Sequence, residues 1–287
     1  MNPAPSVIVF TVLSGMGFGV LAFLGLGAPQ PSGWMAFFYW ALGYGLAVGG
    51  LAAATFHLGN PQRALLAFSQ WRTSWLSREG WCSVAALLIL APMALSDWWG
   101  LGWPREFGLV GAVLSVATVG TTSMIYAQLA TVPRWNHWST PLVFFGFAFA
   151  GGAILAGHDR IAALACLSLG VILTYVFHHG DGRFAARGQT MATATGLDYG
   201  EVSVFEQPHT GRNYLMREMI HVVGRKHSGR LRVLAVLLAG LVPALILALV
   251  PGALVVAALV HLVGALVARW LFFAEAEHVV GLYYGMR

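Results

Sequence analysis

The sequence predicts an all-α polytopic membrane protein, a bundle of eight transmembrane helices. Three observations carry that prediction. First, 58% of the 287 residues are hydrophobic and only 9% are charged, where a soluble domain has roughly 45–50% and about 25%. So few charges could not cover a water-soluble fold of this length. Second, long stretches hold no Asp, Glu, Lys or Arg at all: everything before Arg63, then 107–133, 135–158, 161–180 and 233–268. Third, turn chemistry separates apolar runs of the length a bilayer requires, about 20 residues each.

The elements follow in order. Runs at roughly 5–27 and 34–57 open the chain, joined by APQPSG (28–33). No basic n-region precedes the first run, and it is too long for a signal h-region, so it reads as a retained membrane helix. Gly15/Gly19 and Gly45/Gly49 match small-xxx-small helix packing. Gly15-Met-Gly-Phe-Gly is no nucleotide loop, because no strand precedes it. Gln62–Trp75 places apolar residues at 65, 66, 68, 71 and 75, the rough period of an interfacial amphipathic helix with arginines on its wet face. Further spans follow at about 80–97, 107–130, 140–157, 160–179, 231–250 and 253–277, with breaks at GWPRE (102–106), AGHDR (156–160) and VPG (250–252). Loop 180–230 is the one long polar insertion in a single domain, 1–287. No repeat of 20–50 residues is visible.

With eight spans both termini share a side, together with loops 58–79, 131–139 and 180–230. That side holds thirteen of the Lys and Arg residues against Arg105 and Arg160 opposite. Without the long loop the count is six against two. The positive-inside rule then places both termini in the cytoplasm of a bacterial inner membrane. The net charge of +5 reads as basic loops on one face, not as nucleic-acid binding. Cys82 and Cys166 lie in apolar runs and read as buried thiols, with no metal site.

Candidate chemistry gathers at that same side. His57 ends span two and Glu79 starts span three. A His and a Glu facing each other at membrane depth can exchange protons near physiological pH, and a quinone headgroup needs such partners. The bland alternative is an interfacial loop of anchoring Trp and Arg, which accounts for Arg72, Trp71 and Trp81. Arg269, about two turns inside span eight, either snorkels to pair with Glu275, Glu277 or His278 or lines the pocket of His57. For a b-type haem, His57 with His178 is the only pair at matched depth. Terminal or core histidines are the default, and no haem is expected.

At these residues the chain resembles the anchor subunits of dimethyl sulfoxide reductase, the DmsC family. HLGNPQRA (57–64), SWLSREG (74–80), TVPRWNHWSTP (131–141) and the G-x4-R-x3-F…H-V-V-G-L pattern at 264–282 carry the resemblance over the whole chain. It implies an anchor with no catalytic cofactor of its own. Its partners would be a four-cluster iron–sulfur subunit holding [4Fe-4S] centres and a molybdenum catalytic subunit holding bis-molybdopterin guanine dinucleotide. The family's quinol-site histidine falls on His57 and its loop glutamate on Glu79. The expected quinone-binding set is His57, Glu79, Arg269, Arg63 and Trp75, for ubiquinone or menaquinone.

The segment DYGEVSVFEQPHTGRNYLMREMIHVVGRKH (198–227) departs from that pattern and, with AEAEHVVGLYYG, resembles the branch that anchors cytoplasmic sulfite dehydrogenase (quinone), SoeC. It implies a docking platform, with Arg72, Arg78, Phe205, His209, Arg212 and Tyr214 as contact candidates, the alternative being a solvated loop. The expected function is the quinone-reactive, non-catalytic subunit of a sulfite:quinone oxidoreductase. The alternative is a quinol-oxidising anchor of a dimethyl sulfoxide or polysulfide reductase. A secondary transporter would need a midplane site with broken helices, and a purely structural anchor would need no His/Glu/Arg cluster.

Overall fold

The computed structural model describes residues 1–56, 58, 60–197, 200–206, 210–211, 213–220 and 226–285. Every regular element among them is helical: α1 (Pro5–Gly25), α2 (Gly33–Thr55), α3 (Trp75–Trp99), α4 (Glu106–Ala127), α5 (Ser139–Leu155), α6 (Asp159–Ala186), the short α7 (Met191–Thr195) and α8 (Tyr214–Glu218), α9 (Ser228–Val236), α10 (Val242–Leu249) and α11 (Leu254–Ala274). Leu237–Leu241 joins α9 to α10 as a π turn, so Ser228–Leu249 is one continuous rod. Seven of the described helices are long and apolar enough to cross a membrane. α5, at 17 residues, is shorter but as apolar as the rest.

α1 is the hub. Phe18, Val20, Leu21 and Leu24 are almost fully buried. One face of α1 packs with α2 and α4 and touches α3, the other packs with α5 and α11. Burying apolar surface drives little association where the solvent is itself apolar, so close backbone approach matters more. Gly17 lies against the Ala47 backbone, Gly50 against Ser14, Gly19 against Ala148 and Gly152, and Gly25 against Gly108. The predicted pairs are corrected here. Gly15, Gly45 and Gly49 face open space, because small-residue spacing does not say which side of a helix meets a neighbour.

Both ends of the bundle are defined by contacts. At one end the Met1 amine donates to the Ala276 carbonyl at 2.7 Å, Asn2 N–H to Glu218 O, and Val279 N–H to Thr131 O. The start of the chain, loop 128–138, the segment around α8 and the residues after α11 therefore meet there. At the other end Asp159 Oδ2 accepts from Gly252 N–H, and Asp97 at the end of α3 pairs with Arg105 at 2.7 Å and accepts from Trp40 Nε1. α5 and α6 meet there through a three-residue turn whose Gly157 has φ +83°, a conformation that favours glycine.

Three predicted boundaries change. The amphipathic stretch is a 3₁₀ helix over Pro61–Phe68, not an α-helix to Trp75. It begins at Pro61 and is pinned by Phe68 over Gly80 and by the Ser77 hydroxyl donating to Ala67 O. α3 starts earlier than expected, because Ser74 caps it at the Ser77 N–H. α6 runs on to Ala186, since Asp181 and Arg183 find polar partners on neighbouring segments and need no loop.

Candidate functional site

Glu79 does not sit at the start of its span. The earlier onset of α3 puts it within the first two turns of the helix, 3% exposed. Its carboxyl is hydrogen-bonded to the Thr122 hydroxyl of α4. Tyr126, one turn further along α4, lies within electrostatic reach of both Glu79 and Arg269 of α11. So α4 brings Glu79 and Arg269 to the two flanks of one polar stripe, Thr122 and Tyr126. Both are otherwise ordinary members of an apolar run, and their only trace in the sequence is the hydroxyl count of that run.

Arg269 is 3% exposed, and its Nε and Nη1 have no hydrogen-bond partner among the described residues. Its guanidinium carbon lies 3.9 Å from the Phe144 ring centroid and 5.2 Å from that of Phe272. Cation–π contact compensates part of the desolvation, by about 2 kcal/mol at best. Of the partners weighed for it, Glu275 is taken. Arg134 Nη2 and Arg232 Nε each donate to Glu275 at 2.6 Å, and both arginines also bond Asp181 at 2.5 to 3.1 Å. Two cations and two anions from four segments thus close on one another. The sequence reading missed this network, because its members are up to 141 residues apart.

A cavity of about 40 Å³ lies between Arg269 and this network, lined by Arg134, Trp135, Thr140 and Glu275 among others. At roughly 10–15 Å³ per water it has room for about three or four waters and not for a quinone ring. Trp135, fully buried, donates to Phe272 O at 2.9 Å and stacks on that ring at 5.0 Å, which fixes loop 128–138 against α11.

His57 lies outside the described residues, as do His209 and Arg212. The neighbours of His57 are placed: the 3₁₀ helix carrying exposed Arg63 covers the start of α3. Trp75 there stacks under Arg78 at 4.2 Å, and Arg78 also bonds the carbonyls of Trp71 and Arg72. Arg72 is exposed, Tyr214 is largely exposed and Phe205 is fully so. His178, the partner weighed for haem, is exposed on α6.

Among the described residues, His261, His137 and His278 have structural partners. His261 is completely buried and its Nδ1 donates to the Ala239 carbonyl at 2.8 Å. That carbonyl belongs to the π turn, where the widened ladder frees acceptors, and Cys166 Sγ lies 4.0 Å from the same nitrogen. Outside the spans, burial holds His137 below the ordinary histidine range, assisted by Arg183 and His179. Burial does the same to His278, with the N-terminal ammonium as a second cause.

The family profile of the DMSO reductase anchor subunit (DmsC) matches residues 1–286. The chain is 30% identical to the C subunit of sulfite dehydrogenase from Allochromatium vinosum, over an alignment covering 99% of each protein. It is 31% identical to the C component of anaerobic dimethyl sulfoxide reductase from Escherichia coli K12, over 37% of this chain and 38% of that one. No solved structure matches. The chain belongs to the DMSO reductase anchor subunit family.

Proposed function

We propose that this family member is an eight-span anchor that passes electrons from a cytoplasmic iron–sulfur partner to membrane quinone, in a complex that oxidises sulfite at a molybdenum subunit. Four things support eight crossings: the seven long helices, the apolar character of α5, the position of α5 between opposite ends of the bundle, and the meeting of both chain ends at one end. Sulfite as substrate rests on the relative named for it, which matches end to end, whereas the dimethyl sulfoxide reductase relative matches little more than a third of the chain.

The observation that carries the quinone reading is Glu79. A carboxylic acid buried among apolar helices is costly unless it has a task or a partner. This one has a single hydroxyl and faces Arg269 only across Tyr126. It lies in the first turns of α3, which begins at Trp75 and is covered by the 3₁₀ helix that bears Arg63. A quinone supplies a two-electron, two-proton carrier. In our account the headgroup enters beside that 3₁₀ helix at the first turns of α3, with His57 and Arg63 as donors to its oxygens. Glu79 moves the proton, and Trp75 closes the site against water. Arg269 holds its charge over Phe144 behind Tyr126 and offsets negative charge arising at Glu79. The small cavity beside it suits water, so its action is through the field and not by contact with the ring. The end of the bundle with exposed Arg72, Phe205 and Tyr214, and with Arg78, faces the iron–sulfur partner in the cytoplasm.

The test is two variants of the intact complex. His57→Ala and Glu79→Gln should each lower quinone turnover about 100-fold or more, the size of a lost acid–base group, while the subunits still co-purify. Normal turnover in either variant would contradict the site.

A further inference from the structure

Thr122 Oγ1 is within hydrogen-bond reach of two oxygens, the Glu79 carboxyl and the Thr118 carbonyl, the latter at 2.9 Å. A hydroxyl has one hydrogen and two lone pairs, so it cannot donate to both. If Glu79 is ionised, Thr122 donates to the carboxylate, and the Thr118 carbonyl keeps only its place in the helical ladder. If Glu79 is protonated, the carboxyl donates to Thr122 and Thr122 donates to Thr118, and both contacts are true hydrogen bonds. The neighbouring Thr118 and Thr121 also bond carbonyls one turn back. Of the three, only Thr122 is hydrogen-bonded to a carboxyl group.

We propose that Thr122 is a positioning residue whose hydroxyl swings between the Thr118 carbonyl and Glu79, one swing for each proton that Glu79 gains or loses. The proposal deepens the quinone reading and rests on it only for the identity of the group that takes the proton. As the quinone takes up electrons from the iron–sulfur partner, the Glu79 O–H bond breaks and a quinol O–H forms. The Thr122 hydrogen then turns to the carboxylate left behind. A proton from the cytoplasmic side returns Glu79 to its acid form and Thr122 to Thr118. Among the described residues, the other groups within electrostatic reach are Tyr126 on α4, with Arg269 of α11 beyond it, and Cys82 on the helix of Glu79 itself. The 3₁₀ helix packed above presents Phe68 to Gly80.

Infrared spectroscopy of the full chain in lipid nanodiscs, without quinone, tests this. The carbonyl stretch of protonated Glu79 is assigned by its loss in Glu79→Gln. In Thr122→Val, which keeps the shape and removes the hydroxyl, the band should move to higher frequency. In Thr122→Ser it should stay at the wild-type position. Quinone turnover of the assembled complex should fall at least about tenfold in the valine variant and hold in the serine variant. No Glu79 band at any pH, an unmoved band in Thr122→Val, or a serine variant that behaves like valine would overturn the proposal. If the band moves as described but the wild-type complex does not reduce quinone, the hydrogen-bond switch stands and the quinone reading fails.

Discussion

Replacing Glu275 by glutamine removes one of the two anions that hold Arg134 and Arg232. The side chain is 6% exposed and accepts two charge-assisted bonds at 2.6 Å. Removing one partner of a buried pair costs about 3–5 kcal/mol. Glutamine keeps one acceptor oxygen for one of the arginines, so the lower end applies, about 3 kcal/mol. Asp181 is bonded by the same two arginines, yet its side chain is 51% exposed, and solvent-screened pairs contribute about 1 kcal/mol or less. By bond count Asp181, with three hydrogen bonds against two, would matter more, and by burial Glu275 does. Unfolding the purified protein from detergent micelles with rising SDS measures both. Glu275→Gln should lose about 3 kcal/mol and Asp181→Asn no more than about 1 kcal/mol, with the double variant non-additive because both act on the same arginines. An Asp181→Asn cost equal to or above that of Glu275→Gln would refute the argument from burial.

Two further outcomes follow from the same geometry. Arg269→Lys keeps the charge but loses the planar face that lies on Phe144, so the pH profile of quinone turnover should change while assembly persists; an unchanged profile would show that Arg269 has no field effect on the site. A Cβ at Gly264 would run into the backbone of Leu238 and Ala239 at the π turn. Gly264→Val should therefore lower stability by about 2 kcal/mol or more and disturb the His261–Ala239 bond, and a variant as stable as wild type in the SDS titration would contradict that packing.

The helices were legible because a bilayer demands apolar runs of one length, and the breaks carried glycine and proline at 28–33, 156–160 and 250–252. Arg269 was legible for the same reason, since a charge inside such a run is costly and so stands out, whereas Glu79 was noticed at the head of its run beside His57 and its depth was not. What each touches was not. Arg269 was weighed against Glu275 because they are six residues apart, while the carboxylate is held by arginines from α9 and from loop 128–138. Coulomb attraction selects partners by position in space, and sequence distance carries little of that. Thr122 and Tyr126 left no more than their hydroxyls as a signal, because a buried threonine that bonds its own helix looks apolar from outside. The π turn was hidden too, since the extra residue in that turn changes neither hydropathy nor run length.

The most direct measurement of the central claim is sulfite-dependent reduction of quinone in membranes that hold the intact complex. Open membranes and sealed inverted vesicles, whose cytoplasmic face is outward, should reduce quinone when sulfite is added, and the activity should vanish in Glu79→Gln with the complex still assembled. No activity in open membranes holding the intact complex, or activity with sulfite supplied only to the external face of sealed right-side-out vesicles, would contradict the account.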